Sequence, residues 1–240
     1  MIDWLRPDMQ APAVSLGEQD VPLAIRRHPT ARRMTMRLAP DGSEVRITIP
    51  RWGRTRDAVE FARSRAAWLA GQLAKIEPPQ SPQVGGTLPF RGEELRIDWR
   101  ADRRRRVSLT EGTLVVGGPQ ESFPARLERW LRAQARDLIE ADMGFYCARA
   151  ARPEPAIALS RAQRRWGSCS TSGTVRINWR LVMAPDAVRR SVVAHEVAHL
   201  VHFDHSPAFH ALLGELFEGD LAAANRWLRD HGRSLYRHFG

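Results

Sequence analysis

The segment from His195 to His199 reads His-Glu-Val-Ala-His, and His205 follows six residues after the second histidine. Residues four apart lie on the same face of a helix, so His195 and His199 are expected to direct two imidazole rings toward one point. This H-E-x-x-H spacing is typical of metal-dependent hydrolases. His205 can supply a third nitrogen and leave a fourth coordination position for water, which indicates a catalytic site rather than a structural one.

Glu196 directly follows the first of these histidines, where its carboxylate can reach a metal-activated water without being a ligand itself. The sequence therefore predicts one Zn²⁺ per chain, bound by His195, His199 and His205, with Glu196 as the catalytic acid and base. The activated water would attack a carbonyl group or, as the alternative, a phosphoryl centre. Imidazole-rich sites also bind other first-row divalent ions, such as Mn²⁺ and Co²⁺.

The helix that carries these histidines is predicted to begin at Pro185 and to run to about His202. His202 stands midway between His199 and His205, where the metzincin pattern has a glycine that lets the chain reverse. Because histidine adopts the left-handed conformation less readily than glycine, we expect the helix to continue further before the chain turns back. His202 is then a spare imidazole on the helix surface.

A second unusual segment begins at Arg164 and reads Arg-Arg-Trp-Gly-Ser-Cys-Ser. As a substrate platform, Arg164 or Arg165 would hold an anionic group while backbone N–H groups near Gly167 polarise the oxygen of the scissile bond. As a structural corner, a buried Trp166 and Cys169 would wedge a hairpin against the metal helix. The spacing alone favours the structural interpretation.

The positive charge of the chain comes almost wholly from arginine, because Lys75 is the only lysine and the formal net charge is +10. Two interpretations stay open: arginine replaces lysine at solvated positions throughout, or a basic surface attracts nucleic acid or nucleotides. The run from Arg103 to Arg106 shows the same ambiguity. It is either a solvated strand edge that deters pairing with other chains or a nucleic-acid contact.

Cysteine usage and hydropathy indicate a cytoplasmic protein. The chain has only two cysteines, Cys147 and Cys169, so no disulfide framework holds the fold together and a reducing compartment fits best. No stretch approaches the roughly 18 consecutive apolar residues of a membrane span. The N-terminus lacks a basic segment followed by an apolar core, so we expect no signal peptide and no membrane partner.

The hydrophobic pattern changes along the chain from strands to helices, and no internal repeat is evident. Alternating apolar residues predict short strands in the first half, with amphipathic helices at Arg56–Ile76 and Phe123–Ala151. Later helices are predicted at Pro207–Phe217 and Leu221–Asp230, and Gly232 is the expected helix-ending glycine.

Four short motifs of this chain together resemble the YgjP-like bacterial metallopeptidase family, which is related to the SprT-type zinc proteases. They are Arg-Trp-Gly-Ser-Cys-Ser from Arg165, Asn-Trp-Arg-Leu from Asn178, His-Glu-Val-Ala-His-Leu from His195, and His-Ser-Pro-Ala-Phe from His205. The resemblance implies a third metal ligand at His205 and the catalytic carboxylate at Glu196.

This resemblance also implies an α+β fold, in which an N-terminal β-rich part precedes a zincin-like C-terminal catalytic part with the H-E-x-x-H helix. The predicted division is a loose N-terminal arm at residues 1–20, a β-rich part at residues 21–118, and a zincin-like metallopeptidase domain at residues 119–240. The candidate substrate-binding residues are Arg164, Arg165, Trp166, Asn178 and Arg180.

The function predicted from these features is that of a zinc-dependent metallopeptidase acting on a peptide or protein substrate. One alternative is a metal-dependent nucleotide phosphohydrolase of the pyrophosphatase type, with Arg164, Arg165 and Arg180 neutralising phosphate. The other is a nucleic-acid-binding protein without enzymatic activity, in which zinc is structural and Cys169 or His202 closes a four-ligand site.

Overall fold

The computed structural model describes residues 12–17, 19–39, 41–76, 80–163 and 165–239. The chain divides into two compact units, Met1–Pro78 and Pro79–Gly240, and each unit has its own hydrophobic core. Both units combine sheets with helices, so the predicted α+β class is confirmed.

The first unit is a four-stranded sheet followed by two helices. Its strands lie in the order β1-β2-β4-β3, with the central pair parallel and both outer pairs antiparallel. The predicted helix at Arg56–Ile76 is instead two helices that meet at Arg65. The elements are β1 (Ala13–Leu16), β2 (Gln19–His28), β3 (Thr35–Leu38), β4 (Val45–Pro50), α1 (Thr55–Ser64) and α2 (Ala66–Leu73).

The predicted loose arm at residues 1–20 overlaps this sheet. Strand β1 begins at Ala13, and the side chains of Val14 and Leu16 are buried in the core. These apolar residues alternate with exposed ones, which is the pattern of a half-buried strand. Residues 1–11 and 18 of the predicted arm lie outside the described residues.

The second unit opens with another four-stranded sheet, in the order β5-β6-β8-β7. Its central pair is parallel and its outer pairs are antiparallel, so it repeats the arrangement of the first sheet. The sequence pattern did not indicate this correspondence. The strands are β5 (Thr87–Phe90), β6 (Glu93–Arg100), β7 (Val107–Thr110) and β8 (Thr113–Gly117).

A long helix, α3 (Phe123–Arg149), joins this sheet to the rest of the second unit. Leu114 and Val116 of the sheet and Leu131 of α3 belong to one continuous core. The predicted domain boundary after residue 118 stays a prediction. The boundary between the two compact units follows Pro78 in the sequence. Within the described residues, neither α3 nor any other helix is long and apolar enough to cross a bilayer.

The remaining elements of the second unit are a small sheet and three helices. The sheet has the order β10-β11-β9, so β10 is an edge strand. Helix α4 packs against α3, β10, α5 and α6. The elements are β9 (Ala156–Ser160), β10 (Gly167–Cys169), β11 (Thr174–Asn178), α4 (Asp186–Ala198), α5 (Pro207–Leu216) and α6 (Leu221–His231).

Helix α4 ends earlier than the sequence predicts. Its last residue is Ala198, and the N–H groups of Val201 and His202 then both donate to the carbonyl of Ala198 in a tight turn. Among the described residues, positive φ values outside glycine occur only at Arg91, Glu111 and Ala151. The chain therefore turns back toward the helix without a left-handed residue, so the predicted continuation to His202 is wrong.

A buried ion-pair network anchors α4 to α3. Arg189 on α4 donates its Nε–H to Asp142 on α3 at 2.8 Å, and the two side chains are only 3% and 5% exposed. Arg190 donates to the other oxygen of Asp142 at 3.0 Å, and Arg189 also binds Asp186. Because a buried charge is costly without its partner, each member of this network depends on the others.

Replacing Asp142 by alanine tests this dependence. Asp142→Ala leaves Arg189 buried with only Asp186 as a counter-charge, so we expect the free energy of unfolding to fall by about 3 kcal/mol. The measurement is urea unfolding of the full chain.

Glu140→Ala provides the matched control, because Glu140 lies on the same helix in an exposed ion pair with Arg136 at 3.3 Å. Its removal is expected to cost less than about 0.5 kcal/mol. Equal losses in the two variants would contradict a special contribution of the buried network.

Candidate metal centre

Three imidazole rings converge at the end of α4, and we call His195, His199 and His205 the histidine triad. The Nε2 atom of His195 lies 3.2 Å from Nε2 of His199 and 3.3 Å from Nε2 of His205. Across all three residues, the nitrogens available as ligands lie within 4.8 Å of one another. His195 lies on the helix, His199 is its C-cap, and the turn that follows brings in His205.

The triad fits a zinc ion. Nitrogen ligands at the usual zinc distance on a tetrahedron lie about 3.3 Å apart, which matches the spacing of the Nε2 atoms. The Nδ1–H of His199 donates to the carbonyl of His202 at 3.0 Å, which leaves the lone pair of Nε2 free for a ligand bond. Burial, assisted by the neighbouring imidazoles, lowers the pKa of His195 to about 4, so its ring is neutral and can act as a donor.

The ring of Phe209 contacts all three imidazole rings of the histidine triad. It is fully buried, and its ring centroid lies 5.0 Å from that of His195, 4.5 Å from that of His199 and 4.8 Å from that of His205. The side-chain oxygen of Ser206 accepts the N–H of Phe209 at 3.4 Å and caps α5. This cap fixes the start of α5 directly after His205.

Glu196 has the environment of a proton-transfer group rather than of a structural carboxylate. Its side chain is buried, and Oε2 has no hydrogen-bond partner among the described residues. Burial raises the pKa of Glu196 to about 7, although the charge of Arg165 and a hydrogen bond from the backbone of Cys169 oppose this rise. A carboxyl group with this pKa can both accept and release a proton near neutrality.

A cavity of about 250 Å³ adjoins Glu196 and His195, and we call it the apolar pocket. Leucine and valine side chains from α4, α5 and α6 form its apolar part together with the ring of Trp166, and Ser191, Asn225, His195 and Glu196 supply the polar groups. The lining residues are Trp166, Gly167, Ser191, Val192, His195, Glu196, Leu213, Leu221, Asn225 and Leu228. The buried carboxyl group of Glu196, a nitrogen of the histidine triad and a partly apolar recess therefore share one site.

A family model described as the YgjP-like metallopeptidase domain matches residues 32–231. The chain belongs to the YgjP-like family. No curated protein and no solved structure matches this chain. The resemblance drawn from the four motifs is thereby confirmed, and the histidine triad and Glu196 both lie within the matched range.

Two of the candidate substrate-binding residues of this YgjP-like chain lie beside the catalytic carboxylate. Trp166 lines the apolar pocket, and the charge of Arg165 acts on Glu196. Arg164 lies outside the described residues. The hairpin of β10 and β11 packs against α4, as the structural interpretation of this segment predicts, but Trp166 and Cys169 are half-buried rather than buried.

The other two candidates, Asn178 and Arg180, bind groups of the YgjP-like chain outside the apolar pocket. The side-chain amide of Asn178 donates to the carbonyl of Ala162 at 2.8 Å and to the hydroxyl of Tyr236 at 3.2 Å. Arg180 is buried, stacks on Tyr236 and donates its Nε–H to the carbonyl of Phe239 at 2.8 Å. Neither residue is among those that line the apolar pocket.

Several functional residues escaped the sequence reasoning. One face of α6 could be detected from helical spacing, and it carries Leu221, Asn225 and Leu228. The sequence did not indicate that this face lines a pocket together with Glu196. Gly232 is the C-cap of α6, as the sequence predicts. A Cβ atom there would lie 3.0 Å from the ring of Trp166 and closer still to the carbonyl oxygen of Leu228, so the lack of a side chain also allows close packing.

Gly167 has a comparable role beside the catalytic carboxylate. A Cβ atom at this position would lie 2.7 Å from Cγ of Glu196 and closer still to its Oε1. The edge strand can therefore approach α4 only because residue 167 has no side chain. The glycine thereby allows the carboxylate to lie between β10 and the histidine triad.

Metal content tests the triad directly. We expect the wild-type chain to purify with about one zinc ion per chain, and we expect His195→Ala, His199→Ala and His205→Ala each to lose most of it, because a site with two ligands binds weakly. Metal analysis of the purified variants provides the measurement.

The control for these variants is His202→Ala, because His202 contributes through its backbone, with its N–H bound to Ala198 and its carbonyl to His199, and alanine keeps both groups. This variant should retain its zinc. Zinc loss in His202→Ala, or retention in all three triad variants, would contradict the assignment.

Gly167→Ala is expected to displace the Glu196 carboxyl group while leaving the histidine triad in place. Zinc content should stay near that of wild type, and any hydrolytic turnover should fall at least about tenfold, since catalysis depends on the carboxylate position. Gly214→Ala on α5 is the control, because its Cβ would meet no atom within 4 Å. Equal turnover in wild type and Gly167→Ala would contradict the positioning role.

Proposed function

We propose that this protein is a zinc-dependent metallopeptidase that cleaves peptides or proteins with an apolar side chain next to the scissile bond. The observation that carries the proposal is the unpartnered Oε2 of Glu196, which is buried beside the histidine triad at the wall of the apolar pocket. The free thiols of Cys147 and Cys169 fit a reducing cytoplasm as the site of action.

The triad would hold the ion through the Nε2 atoms of its three imidazoles. When bound, Zn²⁺ supplies positive charge that polarises the substrate carbonyl and makes a water molecule more acidic. Glu196 takes the proton of the attacking water on a carboxylate oxygen and then delivers it to the nitrogen of the leaving amine. The backbone N–H of Cys169 holds the Glu196 carboxylate in place during both transfers.

Strand β10 provides a second argument for a peptide substrate. The carbonyl of Trp166 and the N–H of Ser170 are used in pairing with β11. In an antiparallel ladder, hydrogen-bonding groups alternate between the two sides of a strand, so the N–H and carbonyl of Gly167 and the carbonyl of Cys169 point to the outer side, while the N–H of Cys169 is used by Glu196. An extended peptide can pair with this edge beside Glu196.

The phosphohydrolase alternative has less support from the surroundings of the triad. It requires several arginines within reach of the ion, but Arg180 is bound to Phe239 and no arginine is among the residues that line the apolar pocket. A recess lined by leucine and valine suits an apolar side chain better than a phosphate group.

The structural-zinc alternative requires a fourth protein ligand. Within the described residues, the cluster of potential ligands contains His195, His199 and His205 and no fourth side chain. Burial raises the pKa of the Cys169 thiol, and the charge of Glu196 adds to this, so Cys169 is kept in the protonated form. An open site of three ligands suits catalysis.

The experiment is a turnover screen with a mixed peptide library, read by mass spectrometry, on zinc-loaded wild type and Glu196→Gln. We expect cleavage next to Leu, Met or Phe by wild type, and a loss of about 10²- to 10⁴-fold in Glu196→Gln with zinc content unchanged. Glu215→Gln, on the exposed face of α5, serves as the matched control and should keep full activity.

Nucleoside di- and triphosphates belong to the same screen. Hydrolysis of nucleotides with no peptide cleavage would replace the peptidase proposal by the phosphohydrolase. Full peptidase activity in Glu196→Gln would remove Glu196 from the mechanism.

A further inference from the structure

A second concave site lies on the sheet β5-β6-β8-β7, and we call it the arginine cavity. It measures about 480 Å³ and shares no lining residue with the apolar pocket. Strand β7, which forms part of it, is an edge strand of the sheet. The lining residues are Arg100, Arg103, Arg104, Arg106, Ser108, Thr110, Val115 and Gly117.

Two glycines at the end of β8 hold the connection between β6 and β7 in place. The N–H of Gly117 donates to the carbonyl of Arg106 at 3.0 Å, and a Cβ on Gly117 would lie 2.8 Å from the carbonyl carbon of Arg103. Gly118 has a φ of +90°, and a Cβ there would lie 2.6 Å from the side chain of Arg105. The arginine-bearing backbone is therefore pressed against the sheet, which fixes where its side chains emerge.

The charges in the arginine cavity are only partly neutralised. Arg100 forms an ion pair with Asp98 at 2.8 Å. Arg103, Arg104 and Arg106 form no ion pair with a carboxylate among the described residues, and the neighbouring Asp102 is one of those residues. Three exposed guanidinium groups are thus available around one recess.

We propose that the arginine cavity binds the phosphate groups of a nucleic-acid backbone. Guanidinium groups bind phosphate oxygens in a bidentate manner, and the hydroxyls of Ser108 and Thr110 can donate further hydrogen bonds. The lining contains neither an aromatic ring for base stacking nor an amide for reading base edges, so the contacts are independent of sequence.

A polymer suits this cavity better than a single small anion. Three available guanidinium groups can engage several phosphates, which a nucleic-acid strand presents in series. The formal net charge of +10 also attracts a polyanion over longer distances than it attracts a small ion. This proposal stands independently of the peptidase activity.

The test measures binding of a fluorescent 20-nucleotide single-stranded DNA to the full chain across a salt series. Three phosphate contacts give a slope of about −2 in a plot of log K against log salt. In Arg103→Gln/Arg104→Gln, we expect this slope to become shallower by about 1.4 and affinity at low salt to fall at least about tenfold. Zinc content and the thermal unfolding midpoint should match wild type, which shows that the variant folds.

The matched control is Arg32→Gln/Arg33→Gln. These exposed arginines lie in the equivalent connection, between β2 and β3 of the first sheet, and do not line the cavity. The control removes the same charge and should bind DNA within about twofold of wild type.

Three outcomes would overturn the proposal. Equal losses in the two double variants would mean that net charge alone drives binding. Poly-glutamate binding as tightly as the DNA would mean that the cavity does not select phosphate. Tripolyphosphate binding that depends on Arg103 and Arg104, with DNA binding unchanged in the variant, would assign the cavity to a small anion.

Discussion

The structure depends most on the close approach of three imidazole nitrogens at the end of α4. The Nε2 atom of His195 lies 3.2 and 3.3 Å from those of its two neighbours, and its low pKa disfavours relief of their repulsion by protonation. A cation bound between these nitrogens would make their close spacing favourable. The fold must therefore hold the rings from outside, and the ring of Phe209, the cap at Ser206 and the tight turn after Ala198 do so.

The same region holds a buried carboxylate whose charged form is destabilised. Burial raises the pKa of Glu196 to about 7. Burying the charged carboxylate lowers the free energy of unfolding, and stabilising contacts elsewhere on α4 offset this loss. Helix α4 obtains that support from the Arg189–Asp142 pair and from continuous apolar packing against α3. Arg189 lies in the first turn of α4 and the histidine triad at its C-terminal end, so the network can stabilise the helix without being part of the triad.

The candidate metal-binding residues could be predicted from the sequence, whereas the pocket around them could not. The ligands at His195 and His199 follow from helical periodicity, which is a local property, and the strands follow from alternation. The apolar pocket could not be predicted, because Asn225 and Leu213 meet Glu196 only through tertiary packing. Gly232 was predicted as the end of α6 from local sequence, but its contact with Trp166 could not be predicted, because that residue is distant in sequence.

The two four-stranded sheets share one arrangement, and in each a basic connection crosses the end of a central strand. The residue at that strand end differs between the two sheets. In each sheet the first central strand is parallel to its neighbour, so the connection that follows must pass over the end of that neighbour before it reaches the edge strand. In the second sheet that end is Gly117, which lets the arginine-bearing backbone lie directly on the strand. In the first sheet the corresponding end is Pro50, which has no N–H to donate. The close contact between the arginine-bearing connection and the second sheet therefore depends on glycine at this position.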